Sequence, residues 1–343
     1  MDVKMISNDL RSSCRAMLLG AYQGGGDTPS EEKWQYPSDW LPLPDVAENE
    51  VAALIFVRSG GEAVVSIEGD EPEYVDWGDP GGTEETYINL HRYSYERGTP
   101  FTDNTSMFVL KVHYPQDGGF KTFNLQNSYC FMAACAVNGS AIKIGGSASL
   151  LGSQTNYLQY IRITGDMTNF ENSPGFIYDY NALKRVDFEN SPTVLPNATL
   201  CSCYSLRSVN LPDLSRVTAI GNSCFNDLWA VTRIDLPMLQ SAGYSCFKSN
   251  YSLKTINLPN VQSIGGAFLM NCTAITEVHL PALQTIGSSA LNYCYGLESV
   301  EMEALTAVTG NSIGSGCGSL RKINMPNIDI TQSGIFPDSY MIK

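Results

Sequence analysis

The chain has 343 residues, enough for two or three domains, and its 43% hydrophobic and 16% charged side chains are the balance of a globular protein. Its 35 acidic and 21 basic residues leave a formal charge of −14 with no basic run, which argues against a surface built for nucleic acid or anionic lipid. No apolar stretch approaches the roughly 20 residues that span a bilayer, so no membrane insertion is expected.

Residues 1–32 read as an N-terminal arm and linker. Ile6, Leu10, Cys14 and Leu18 fall on one stripe at helical spacing, and the Gly-, Pro- and Ser-rich "QGGGDTPSEE" follows as a flexible tether. A lone amphipathic helix needs a partner surface, which makes these four residues the candidate assembly anchor; a frayed terminus is the alternative. The apolar patch from Ala16 to Tyr22 has neither a simple basic n-region before it nor a small-residue cleavage site after it, so a secretory signal is not expected.

Residues 33–117 change texture. After "WQYPSDWLPLPDV" from Trp34, the runs "VAALIFVR" from Val51, "EAVVSIEG" from Glu62, "EYVDWGDPGG" from Glu73 and "SMFVLKVHY" from Ser106 are short, β-branched and aromatic, separated by Gly, Pro and Asp. They predict a small antiparallel sandwich. The turn "YVDWGDPGG" from Tyr74, then "HRYSYERG" from His91 and an alternating strand, resembles the polycystic-kidney-disease type of immunoglobulin-like domain over about residues 48–116, with Pro80 where that family has Gly. Asp76 and Asp79 invite a calcium reading. Two carboxylates fall short of a hard-cation shell, however, and an Asp in a tight turn commonly binds its own backbone, so no metal is expected there.

The rest of the chain repeats. The pattern apolar-x-x-apolar-x-apolar recurs as "LQYIRI" at Leu158, "LKRVDF" at Leu183, "LRSVNL" at Leu206, "VTRIDL" at Val231, "LKTINL" at Leu253, "ITEVHL" at Ile275, "LESVEM" at Leu297 and "LRKINM" at Leu320. A half-repeat follows the better copies, as in "LSRVTAIGNSCF" from Leu214 and "VQSIGGAF" from Val261. Pro212, Pro237, Pro259, Pro281 and Pro326 directly follow a strand, where Pro ends a ladder at no cost in internal hydrogen bonds. The 22 to 25 residue period, the strand before Pro and the half-repeat together resemble the BspA-like subclass of leucine-rich repeats over about residues 158–330.

The two resemblances together imply a mainly β chain: a small Ig-like antiparallel β-sandwich at 33–117, degenerate capping repeats at 118–157, and a BspA-like leucine-rich-repeat solenoid with a parallel sheet at 158–343. "FKTFNL" at Phe120 and the pair Ile142 and Ile144 fit the strand pattern and supply the capping coils. Inward residues such as Leu206, Val209 and Leu211 stack on neighbouring coils, so no coil folds alone. The ten cysteines read as small packing residues rather than disulfides, because Cys203, Cys272, Cys294 and Cys317 each precede a strand pattern by three residues and Cys224 and Cys246 occupy the place of Ala267 and Ala290.

No catalytic set emerges. "GNSIG" from Gly310 matches a nucleophile-elbow pattern but lies in a half-repeat, and the three histidines, His91, His113 and His279, belong to three separate strand patterns. A non-enzymatic protein without cofactor is therefore expected. The candidate partner-binding surface is the outward side of the repeat strands: Tyr160, Arg162, Arg185, Asp187, Asn210, Arg233, Asp235, Asn257, Glu277, His279, Glu301, Lys322 and Asn324. Such polar columns suit a host-surface protein or glycan; a merely solvated face is the alternative.

Two settings follow by resemblance. Surface adhesins are the usual bearers of this repeat class. The order of the 34–46 segment, the "VDWGD" turn and the repeats also looks like structural proteins of tailed bacteriophages, which implies a virion fibre, tail or head decoration protein, a homo-oligomer anchored to other virion proteins through the arm. That virion role, assembled in the host cytoplasm, is the leading expectation, and a bacterial cell-surface adhesin is the alternative.

Overall fold

The computed structural model describes residues 33–58, 62–78, 91–94, 99–102, 105–125, 130–142, 157–172, 175–208, 211–310, 312–330 and 334–337. The arm residues Ile6, Leu10, Cys14 and Leu18 lie outside them, as do Asp79, Pro80, Ile144, Val209 and Asn210. The chain forms two compact units, Met1–Asn190 and Ser191–Lys343.

The first unit is built on a long mixed sheet. Strands β1 (Glu50–Arg58), β3 (Tyr74–Asp76), β5 (Thr99–Thr102), β6 (Thr105–His113), β8 (Cys130–Asn138), β9 (Tyr160–Thr164) and β10 (Arg185–Phe188) assemble in the order β10-β9-β8-β1-β6-β3, with β5 also on β6. β1 is hydrogen-bonded on both edges, to β6 and to β8, and is buried from Glu50 through Val57. A strand covered on both faces reads as an unbroken apolar run, which is what "VAALIFV" is. A smaller antiparallel sheet is formed by β2 (Glu62–Gly69) between β4 (His91–Ser94) and β7 (Phe120–Leu125).

The two strand patterns expected to supply capping coils within 118–157 are placed as follows. "FKTFNL" is β7, which pairs antiparallel with β2, and Ile142 makes only an isolated parallel bridge to Phe120. The strand that carries the first repeats is instead β8: antiparallel to β1, it is parallel to β9, with Ala134 opposite Tyr160, and β9 is parallel to β10. The first two repeat strands thus extend an antiparallel sheet. A helix of four residues, α1 (Thr168–Glu171), follows β9.

In the second unit the repeat strands are β13 (Arg233–Asp235), β15 (Thr255–Asn257), β17 (Glu277–His279), β19 (Ser299–Glu301) and β21 (Lys322–Asn324), all parallel. They form a two-stranded and a three-stranded ladder, with a break between β15 and β17. The expected register holds: Val231, Ile234, Leu236, Ile275, Val278 and Leu280 are buried. Ile256, on the strand beside the break, is only partly buried, as is Leu211.

The longest continuous sheet of this unit lies in the half-repeats. β11 (Val194–Leu195), β12 (Ala219–Ile220), β14 (Ser241–Ala242), β16 (Ser263–Ile264), β18 (Thr285–Gly287) and β20 (Ala307–Thr309) form six parallel rungs in that order. Glycine at the third position of the rung follows from the close coil spacing, since a Cβ on Gly287 would lie 2.2 Å from the Gly266 backbone N. In the turns between rungs, Ser245 and Ser249 take φ of 57° and 59°, and their N–H groups donate to Gly266 and Met270 of the following coil at 2.9 and 2.8 Å. Left-handed φ costs a non-glycine residue about 1–2 kcal/mol. The bond to the next coil offsets that cost, so each coil needs its neighbour.

Candidate functional site

The outward residues fall into two groups with different surroundings. Tyr160 and Arg162 on β9, and Arg185 and Asp187 on β10, are partly buried because the chain's own segment 33–46 lies across them. Trp34 and Tyr36 place their rings 5.9 and 5.7 Å from that of Tyr160. Arg185 donates to the Trp34 carbonyl at 3.4 Å, and Arg162 donates to the Pro44 carbonyl and pairs with Asp45 at 3.5 Å.

Farther along the same segment, Trp40, Leu41 and Leu43 pack with Tyr36 against Leu54, Phe56, Met107 and Ala134. Beneath it the Tyr160 hydroxyl donates to Asp187 at 2.8 Å, and Arg185 pairs with the other Asp187 oxygen at 2.9 Å. Burial, helped by that Asp187 bond, pushes the Tyr160 hydroxyl well above the usual phenol range. These four residues, expected to meet a partner, form instead the seat of an internal strap.

The second group is open. Arg233, Asp235, Asn257, Glu277, His279, Lys322 and Asn324 are exposed and Glu301 is half-buried. Period-2 alternation sends them outward, and the parallel register aligns Arg233 with Thr255, Asp235 with Asn257, and His279 with Glu301. Asp235 receives Arg233 at 3.1 Å and the Asn257 amide at 2.7 Å. Lys322 pairs with Glu301, holding the carboxyl below its usual range and raising the ammonium. His279 Nε2 lies 3.6 Å from Glu303 Oε1, to which the Asn324 amide donates at 3.3 Å. Exposed pairs of this kind contribute little stability.

Two features escaped the sequence reading. The position directly after Cys203, Leu228, Asn250 and Cys294 holds Tyr204, Trp229, Tyr251 and Tyr295, of which Tyr204 and Trp229 are 4.3 Å apart and Trp229 and Tyr251 6.0 Å apart between ring centroids. Tyr251 and Tyr295 are exposed. Aligning the repeats on the column beside the cysteines would have revealed this row. The other feature is Asn250, fully buried, whose amide donates to Phe225 O at 3.0 Å and accepts from Leu228 N at 2.7 Å. It stands in the column of Cys272 and Cys294, whose thiols donate in the same way to Phe247 O and Leu269 O at 3.0 and 3.1 Å. Burial raises both thiols, Cys272 to about 12, consistent with packing rather than reactivity.

The other candidates are quickly placed. Asp76 Oδ1 accepts from the Gly78 N–H at 2.8 Å, the self-bonded turn. Ser312 of "GNSIG" sits after β20 in a half-repeat turn and not between a strand and a helix. Among the described residues no helix is long and apolar enough to cross a membrane.

Comparison with known proteins gives a family. The model of the BspA type leucine-rich repeat region matches over residues 127–251, 171–298 and 218–343, with six copies. No curated protein matches. A leucine-rich cell surface protein of Faecalibacterium prausnitzii is 15% identical, with 60% of this chain covering 72% of that one at a TM-score of 0.31. A leucine-rich-repeat protein of Bacteroides ovatus is 13% identical, with 59% covering 92%, at a TM-score of 0.25. Neither overlap is close enough to carry an argument about this chain.

Proposed function

This chain belongs to the BspA-type leucine-rich-repeat family, and from that premise we propose that it is a non-enzymatic binding protein of a bacterial cell surface, which meets a host protein or glycan through the open strand face of residues 231–324. The observation that carries the reading is a contrast between the two units, each taken by itself: the chain covers the outward residues of β9 and β10 with its own strap, and leaves those of β13 to β21 open and polar. Arg233, Asp235, Asn257 and Glu277 are the residues we assign to contact.

The virion reading has less behind it. The 34–46 segment on which it rests packs against strands of its own unit, and the arm meant to dock on a particle lies outside the described residues. Virion partners and homo-oligomerisation draw no support from the family, and the polycystic-kidney-disease-like reading of the first unit rests on its sequence motifs.

The test is to probe full-length protein against arrays of extracellular proteins and glycans, beside the triple variant Arg233→Ala, Asp235→Ala, Asn257→Ala. Binding that the variant loses, with thermal unfolding unchanged, is the expected result. A ligand held equally by both proteins would place recognition elsewhere, and the aromatic row at Trp229 and Tyr251 would be the next surface to vary.

A further inference from the structure

A second chemistry is built into the same face, and it does not depend on the identity of any partner. His279 on β17 and Glu301 on β19 are register partners in adjacent parallel strands, and Glu303 follows two residues after Glu301. One ligand atom from each of the three lies within 4.8 Å of the others. His279 Nε2 and Glu303 Oε1 are already 3.6 Å apart.

Ligand atoms at about 2.0–2.2 Å from a tetrahedral zinc ion stand roughly 3.3 Å from one another, so rotamer shifts of about an ångström at exposed side chains would close the set. The second carboxylate oxygen of Glu303 is enclosed and has no hydrogen-bond partner among the described residues, although Asn324 orients the first. The Glu303 side chain is 39% exposed, so a cation can reach that oxygen, and a bound cation would satisfy it.

We propose that His279, Glu301 and Glu303 form a three-ligand site for a divalent transition-metal ion of the zinc type, with a fourth position left for water or a donor from outside the chain. One imidazole nitrogen and two carboxylates suit zinc, cobalt or nickel; calcium would need six or more oxygens and has no use for the histidine. Lys322, which pairs with Glu301, is the competing cation. A dication held by three donors displaces a single exposed ammonium, so binding strengthens when that lysine is removed. The sequence reading weighed Asp76 with Asp79 for a metal and did not pair His279 with the glutamates; here the 22-residue period brings together a His and a Glu that lie a full coil apart.

Full-length protein stripped with a chelator is titrated with Zn²⁺ by calorimetry, and Co²⁺ serves as the spectroscopic probe, because the many cysteines could also take up metal. One saturable site per chain is expected, with no sulfur-to-cobalt charge-transfer band. His279→Ala and Glu303→Gln should each weaken it by tenfold or more, Lys322→Ala should tighten it, and His113→Gln, in a separate Glu50 and Glu73 environment, should leave it unchanged. All the varied side chains are at least partly exposed, and circular dichroism checks that each variant is folded. No uptake by the wild type, an isotherm unaltered by both His279→Ala and Glu303→Gln, or a thiolate band accounting for the bound cobalt would each overturn the proposal.

Discussion

Two stretches of repeat strand with the same pattern end in opposite circumstances. In the first unit, β9 and β10 extend a sheet whose other strands are antiparallel, and an aromatic strap from residues 33–46 covers their outward side chains. In the second unit the strands stack only on their own kind and the outward side chains stay open. A repeat pattern therefore specifies which residues point outward; whether they are available is decided by segments outside the repeat.

The comparison is sharpened most by attacking a repeat core. Val278 is 1% exposed and Asn257, on the outward column, is exposed. Val278→Asp should lower the unfolding free energy by about 3–5 kcal/mol because it buries an unpaired charge, and Asn257→Ala by under about 1 kcal/mol. Chemical denaturation measures both. Equal losses would mean that the strand register is wrong by one residue.

A smaller effect separates the two ways in which coils are tied together. Asn250→Ala would leave the buried Phe225 carbonyl and Leu228 N–H without their side-chain partner, at about 1–3 kcal/mol. Cys272→Ala removes one weak S–H donor and one sulfur, and should cost less. If the cysteine matters more than the asparagine, the column is held by packing volume and not by hydrogen bonds.

The smallest effect is confined to the first unit and to acid. Burial pushes the Glu50 carboxyl up, but the Ala47 N–H, Lys111 and His113 together outweigh it, and the net pKa is lowered. A depressed carboxyl adds stability above its unfolded pKa and loses it as pH falls through the folded value. Glu50→Gln should therefore be less stable than wild type at neutral pH, with the two melting curves converging in acid. A gap of constant size from neutral pH to acid would show that the carboxylate's charge is not what stabilises the strand pair.

Much of this was legible in the sequence. The repeat starts placed β9, β10, β13, β15, β17, β19 and β21 correctly, because inward Leu, Ile and Val recur at a fixed period and a one-residue slip would reverse them. The half-repeat rungs are only two or three residues long, too short to show alternation, and their sheet becomes visible only when successive coils stack. β8 was missed because "CFMAACAV", up to the closing Asn138, is an unbroken apolar run, as a strand buried on both faces reads. The strap was not legible because nothing in "WQYPSDWLPLPDV" states whether its aromatic rings meet another protein or their own sheet. The His279, Glu301 and Glu303 cluster was hidden by sequence distance alone.

The central claim, that outward residues are sheltered in the first unit and available in the second, is tested most directly by hydroxyl-radical footprinting of the free protein. Tyr160 beneath the strap and Tyr295, 58% exposed, share one intrinsic reactivity, so their ratio reports shielding alone. Tyr160 should oxidise several times more slowly than Tyr295, and Trp34→Ala should raise the Tyr160 rate while leaving that of Tyr295 unchanged. Equal rates in the wild-type protein would contradict the account, because the strap would then not cover the first strands and the contrast between the outward residues of the two units would disappear.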